Sequence, residues 1–70
     1  MIPTPKLDLH GVVYADVPQK IDRLVFKYKP PYRIITGNSF EMQKQVLTVL
    51  GQYSGMKAII NIGSILVIED

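Results

Sequence analysis

The sequence predicts an α/β domain, a two-layer sandwich in the order β-α-β-α-β-β, with two helices on a mixed sheet of about four strands. Three observations predict it. Short runs rich in β-forming residues lie at 6–10, 32–36, 57–61 and 64–68. Between the first three of them, apolar residues recur at steps of three and four, the stripe of an amphipathic helix. A strand–helix–strand opening in one sheet then makes its first two strands parallel.

The elements follow in chain order. Residues 1–5 carry two prolines and read as a loose arm, leaving 6–70 as one domain. Lys6-Leu7-Asp8-Leu9-His10 alternates polar and apolar residues, so Leu7 and Leu9 share one face and Asp8 and His10 the other. Gly11 closes that strand. From Tyr14 to Tyr28 the stripe Val17, Ile21, Leu24, Val25 and Tyr28 predicts a helix. Asp16 is its expected cap, and Pro18 fits its first turn. Lys29-Pro30-Pro31 stops it, since the residue before proline avoids helical geometry.

Tyr32 to Thr36 is the second strand, and Gly37 turns the chain. Asn38-Ser39-Phe40-Glu41 fits a capping box with Asn38 as cap and Glu41 at the third helical position. Met42, Val46, Val49, Leu50 and Tyr53 form the second buried stripe, ended by Ser54-Gly55. The last two strands, Lys57 to Asn61 and Ser64 to Ile68, are joined through Asn61-Ile62-Gly63-Ser64 as a hairpin.

Composition bounds the function. Hydrophobic residues make up 47% of the 70 and charged residues 20%, the profile of a folding chain. No cysteine is present, which removes disulfides, thiolate zinc sites and thiol nucleophiles, and one histidine removes a histidine-rich metal centre. No apolar run approaches the ~20 residues of a membrane span, and no signal region opens the chain, so a soluble cytoplasmic protein is expected. Eight Lys and Arg against six Asp and Glu permit a nucleic-acid partner without demanding one.

If the first two strands are parallel, His10 and Thr36-Gly37 end on the same edge of the sheet, where ligands of open α/β sheets gather. The second helix starts there, with unpaired amides and a partial positive charge that attract phosphate. A capped helix needs no ligand to explain Asn38 and Ser39, and a lone histidine at a strand end is more often structural. Asp8 in mid-strand is harder to dismiss, because a carboxylate there must be paired or hydrogen-bonded. Lys20, Arg23 and Lys27 form a basic stripe on the first helix, which reads equally as a solvated face or as a phosphate contact.

Leu7-Asp8-Leu9-His10-Gly11 resembles the LDLHG signature that opens the small MutS-related (Smr) domain. Ile34-Ile35-Thr36-Gly37 resembles that family's second motif, a strand ending in Thr-Gly or His-Gly, and the likeness of order and spacing covers nearly the whole chain. The second motif usually continues Lys-Gly; here Asn38-Ser39 follow, so the lysine near the phosphate is missing and the domain looks minimal.

The resemblance implies nucleic-acid binding with endonuclease activity on DNA or RNA. Asp8 and His10 match the presumed catalytic pair. Gly11, Thr36, Gly37, Asn38 and Ser39 fall at the phosphate turn, and Lys20, Arg23, Lys27 and Arg33 are candidates for the flanking backbone. His10 would act as general base, its ordinary pKa of ~6.5 suiting neutral pH, with Asp8 orienting the imidazole. The amides of Asn38, Ser39 and Phe40 would stabilise charge on phosphorus.

Asp8 could take Mg²⁺ together with phosphate and water, whereas Glu69 and Asp70 read as solvated; nothing in the sequence requires a metal. Tyr14, Tyr32 and Phe40 are candidates for stacking on bases, with packing the commoner role of each. Two other readings stand beside a nuclease: a nucleic-acid-binding module without catalysis, and a small interaction domain that binds another protein or a second copy.

Overall fold

The computed structural model describes residues 4–70, so most of the proline-bearing arm lies outside the described residues. Strand β1 (Lys6–Asp8), a 3-10 turn (Tyr14–Asp16), helix α1 (Val17–Lys27), strand β2 (Tyr32–Ile35), helix α2 (Phe40–Leu50) and strands β3 (Met56–Asn61) and β4 (Ser64–Glu69) follow in the expected order. The sheet runs β1-β2-β4-β3. β1 pairs parallel with β2, and the other pairs are antiparallel. The expected mixed four-stranded sheet under two helices is therefore present.

β1 is shorter than the alternation suggested. Leu9 still donates its amide to the Ile35 carbonyl at 2.9 Å, but the Asp8 carboxylate then accepts the His10 amide at 2.9 Å and bends the chain. An acidic side chain two residues before the amide competes with the strand ladder, so the strand ends in an Asx-type turn. His10 sits in that turn, not in the strand. At the other end, Pro5 accepts from the Arg33 amide at 2.9 Å and ties the last arm residue to β2.

In α1, Asp16 occupies the cap position but makes no side-chain bond to the helix. The preceding 3-10 turn already gives Asp16 helical geometry, and its own amide bonds the Val13 carbonyl. A residue curled in this way cannot present its side chain to the helix amides as an extended cap does. Val17, Ile21 and Leu24 are buried and Val25 is half-buried. Tyr28 leaves the stripe because it adopts extended geometry at the end of the helix, ahead of Lys29 and the cis-linked Pro30-Pro31.

α2 begins one residue later than the capping box implied. Ser39, not Asn38, is extended and accepts the Met42 amide on its hydroxyl at 3.1 Å. Glu41 consequently stands at the second helical position. The helix ends at Leu50, the Gly51 amide still donates to the Leu47 carbonyl at 3.0 Å, and two tight turns, Gln52 to Val49 and Tyr53 to Leu50, return Tyr53 half-buried to the core.

One face of the sheet carries the core. Tyr32 and Ile34 from β2, Ile65 and Val67 from β4, and Leu9 are fully buried against Val17 and Ile21 of α1 and Val46 of α2. Burying each such aliphatic side chain contributes ~1.5–3 kcal/mol. Their strand neighbours point the other way. Register places Lys6, Arg33, Leu66 and Ile59 in one row across the uncovered face, with Asp8, Ile35, Ser64 and Asn61 in the next. Among the described residues, no helix is long and apolar enough to cross a membrane.

Candidate functional site

The parallel β1–β2 pair brings the two motifs together as the topology required. A cleft of about 560 Å³ has His10 and Tyr14 on one wall and Gly37, Asn38 and Ser39 on the other, with Leu9 and Met42 at its base. Gly11 also borders it. Leu9, fully buried, anchors the turn from which the exposed His10 projects.

Asp8 is held by a contact along its own chain. It is exposed, so the burial argument for an obligatory charge partner does not apply. Its carboxylate bonds the main-chain amide of His10, which fixes the backbone that carries the imidazole. The carboxylate positions the histidine through the chain and makes no hydrogen bond to the ring among the described residues.

The opposite wall is set by the hairpin. The Gly63 carbonyl accepts the amides of both Thr36 and Gly37 at 3.0 Å. Gly63 (φ +73°) and Gly37 (φ +66°) lie in the left-handed region that side chains disfavour, which explains why glycine stands at both. Thr36 is only 4% exposed and its hydroxyl donates to the Gly37 carbonyl at 3.2 Å. Its amide and hydroxyl are spent within the fold, and so is the Gly37 amide. Among the described residues the amides of Asn38, Ser39 and Phe40 donate no hydrogen bond, which leaves them directed at solvent beside the positive end of α2.

The four candidate cations lie on two surfaces: Lys20, Arg23 and Lys27 follow at steps of three and four along one face of α1, and Arg33 is on the sheet. Lys20 is half-buried one turn into α1, and Lys27 lies ~10 Å farther along the axis. The Lys27 ammonium rests over the Tyr28 ring, 5.5 Å from its centroid. Arg33 is on the uncovered sheet face, registered with Lys6, and Lys57 shares that face two residues along from Ile59. Lys6 and Lys57 escape a sequence reading because only register shows which strand residues stand with Arg33.

Among the described residues no group of three His, Cys, Asp or Glu is placed to hold a metal ion. Glu69 pairs with Met56 at the end of the sheet opposite Ser64, about 17 Å along the strand from the Asp8 row. It cannot join Asp8 in a shared site. Of the three aromatics, Tyr32 is a core residue whose hydroxyl donates to the Met56 sulfur at 2.9 Å, and burial raises its pKa. Tyr14 and Phe40 are exposed. No protein-family model matches the sequence, and no curated protein or solved structure matches it either.

Proposed function

We propose that this domain binds nucleic acid at the edge formed by His10 and the Gly37–Ser39 turn and cleaves a phosphodiester there. The observation that carries the reading is a single cleft with an exposed imidazole on one wall and unpaired helix-terminal amides on the other. Phosphate fits the amide wall, because N–H groups and the helix dipole favour an anion. His10 then removes a proton from a water or a ribose 2′-hydroxyl, whose oxygen attacks phosphorus; the P–O bond to the leaving strand breaks, its oxygen takes a proton from water, and the Asn38 and Ser39 amides stabilise the charge gained on phosphorus. Asp8 holds the His10 backbone in place. The resemblance of Leu7–Gly11 to the opening signature of Smr domains supports the same reading, with DNA and RNA both admitted.

A second reading is a binding module that does not cleave. It is favoured by the Asp8 carboxylate being bonded to the main chain instead of the imidazole, and by Asn38-Ser39 standing where a lysine would add charge. One experiment separates the two. Labelled single-stranded RNA, duplex DNA and supercoiled plasmid are incubated with wild type and His10→Ala, with and without Mg²⁺, at low salt. Loss of general-base catalysis lowers cleavage by ~10²–10⁴-fold while binding is retained. Equal cleavage by both proteins overturns the assignment of His10; binding without cleavage by wild type selects the second reading.

A further inference from the structure

The Gly37–Ser39 wall has a second side. A separate cleft of about 520 Å³ lies between it and the hairpin, lined by Phe40, Gln43, Ile60, Asn61 and Ile62. No charged residue lines this cleft. Its apolar groups are uncovered: Phe40 is 72% exposed, Ile60 54% and Ile62 97%. None of these side chains belongs to the core cluster, so packing within the fold does not account for them.

We infer that this cleft receives an unpaired base of a single-stranded nucleic acid whose phosphate lies on the His10 side of the same wall. The inference rests on the nucleic-acid reading above and adds the strandedness of the substrate. A base offers an apolar π-face and an edge of hydrogen-bond donors and acceptors, and it carries no charge. The cleft offers the complement: an exposed phenyl ring and aliphatic side chains for the face, and the amide of Gln43 for the edge. Because Gly37, Asn38 and Ser39 line both clefts, a chain lying across them puts phosphate and base on opposite sides of one loop. A base stacked inside a duplex cannot enter; one in a loop or single strand can. Base contacts also supply affinity that a phosphate turn without a lysine does not.

The test uses the whole domain and three fluorescent probes: oligouridylate, an abasic oligomer of equal length, and a duplex. Anisotropy titrations give the affinity of each for wild type, Phe40→Ala and Ile62→Ser, with circular dichroism confirming the fold. Both substituted side chains are largely exposed, and the second variant serves if the first loses structure. The expected result is that wild type prefers oligouridylate over the abasic oligomer by about tenfold or more, the effect of one base–aromatic stack. Ile62→Ser, at a residue that takes no part in the phosphate wall, should lower that preference and leave abasic binding unchanged, and Phe40→Ala should weaken oligouridylate binding more than abasic binding. Equal wild-type affinity for the two single strands, or a preference for duplex, overturns the base cleft while leaving phosphate binding in place. No binding to any probe overturns the nucleic-acid reading itself. A dimer seen by sedimentation and lost in Ile62→Ser assigns the cleft to a second copy and also overturns the inference.

Discussion

Ser39 has two separable parts, the cap of α2 and a place on the phosphate wall, and substitution can divide them. Its hydroxyl accepts the Met42 amide at 3.1 Å. Ser39→Ala leaves that amide without a partner, and loss of such a cap costs about 1 kcal/mol. In a domain of this size, 1 kcal/mol lowers the melting temperature by ~4–8 °C. Asn38 makes no capping bond, so Asn38→Ala should stay within ~0.5 kcal/mol of wild type. Ser39→Asp keeps an acceptor at the cap and adds a favourable charge at the helix start, so its stability should match or exceed wild type.

The same carboxylate stands where phosphate is proposed to sit. Two like charges about 4 Å apart repel by ~1 kcal/mol in bulk water and ~4 kcal/mol near a protein surface. Affinity for oligouridylate should therefore fall by at least about fivefold in Ser39→Asp, with the deficit shrinking as salt rises. Thermal denaturation followed by circular dichroism and anisotropy titrations on the same samples read both effects. Destabilisation by Asn38→Ala equal to that of Ser39→Ala would refute the capping assignment. Unchanged affinity in Ser39→Asp would remove phosphate from this turn.

Three further outcomes follow from the geometry. Leu9→Ala empties a fully buried position and should cost ~2–5 kcal/mol by urea denaturation, a large share of the ~3.5–10 kcal/mol available to a chain of this length; a loss below ~1 kcal/mol would contradict its place in the core. Asp8→Asn retains an oxygen for the His10 amide and should preserve its protection from hydrogen exchange, whereas Asp8→Ala should not; equal protection in both would show that the turn does not depend on that bond. Burial raises the Tyr32 pKa, so the folded state holds its proton more tightly than the unfolded chain. That contribution is intact below about pH 10 and is lost as pH rises through the folded value, so stability should decline in the alkaline range. Tyr32→Phe should flatten the decline, and an unaltered slope would assign it to other groups.

The legibility of the sequence varied with how local the cause was. The stripe Val17, Ile21, Leu24 and the run Tyr32 to Thr36 announce their elements because burial on one face is a periodic demand on neighbouring residues. From those elements the parallel pairing of β1 with β2 follows, and with it the meeting of His10 and Ser39. The cap at Ser39 was missed by one residue because Asn38 and Ser39 both carry a suitable oxygen, and backbone geometry alone chooses between them. The contact that Asp8 makes is not legible in the strand alternation, because the His10 amide it accepts from lies two residues along the chain and competes with the strand pattern. The second cleft was not legible at all. It joins Phe40 to Ile60 and Ile62 across the β3–β4 turn, a proximity that depends on the pairing of strands far apart in sequence.

The Gly63 carbonyl, shared by the amides of Thr36 and Gly37, sets a constraint on how such a domain can change. One acceptor fixes the height of a loop that is wall to both clefts. Adding a residue to the β3–β4 turn would lift that acceptor from two donors together and leave both amides to be solvated anew. Shortening the turn after β2 would leave the carbonyl without either donor. The two loops are thus a single unit of variation: a viable insertion in one demands a matching adjustment in the other.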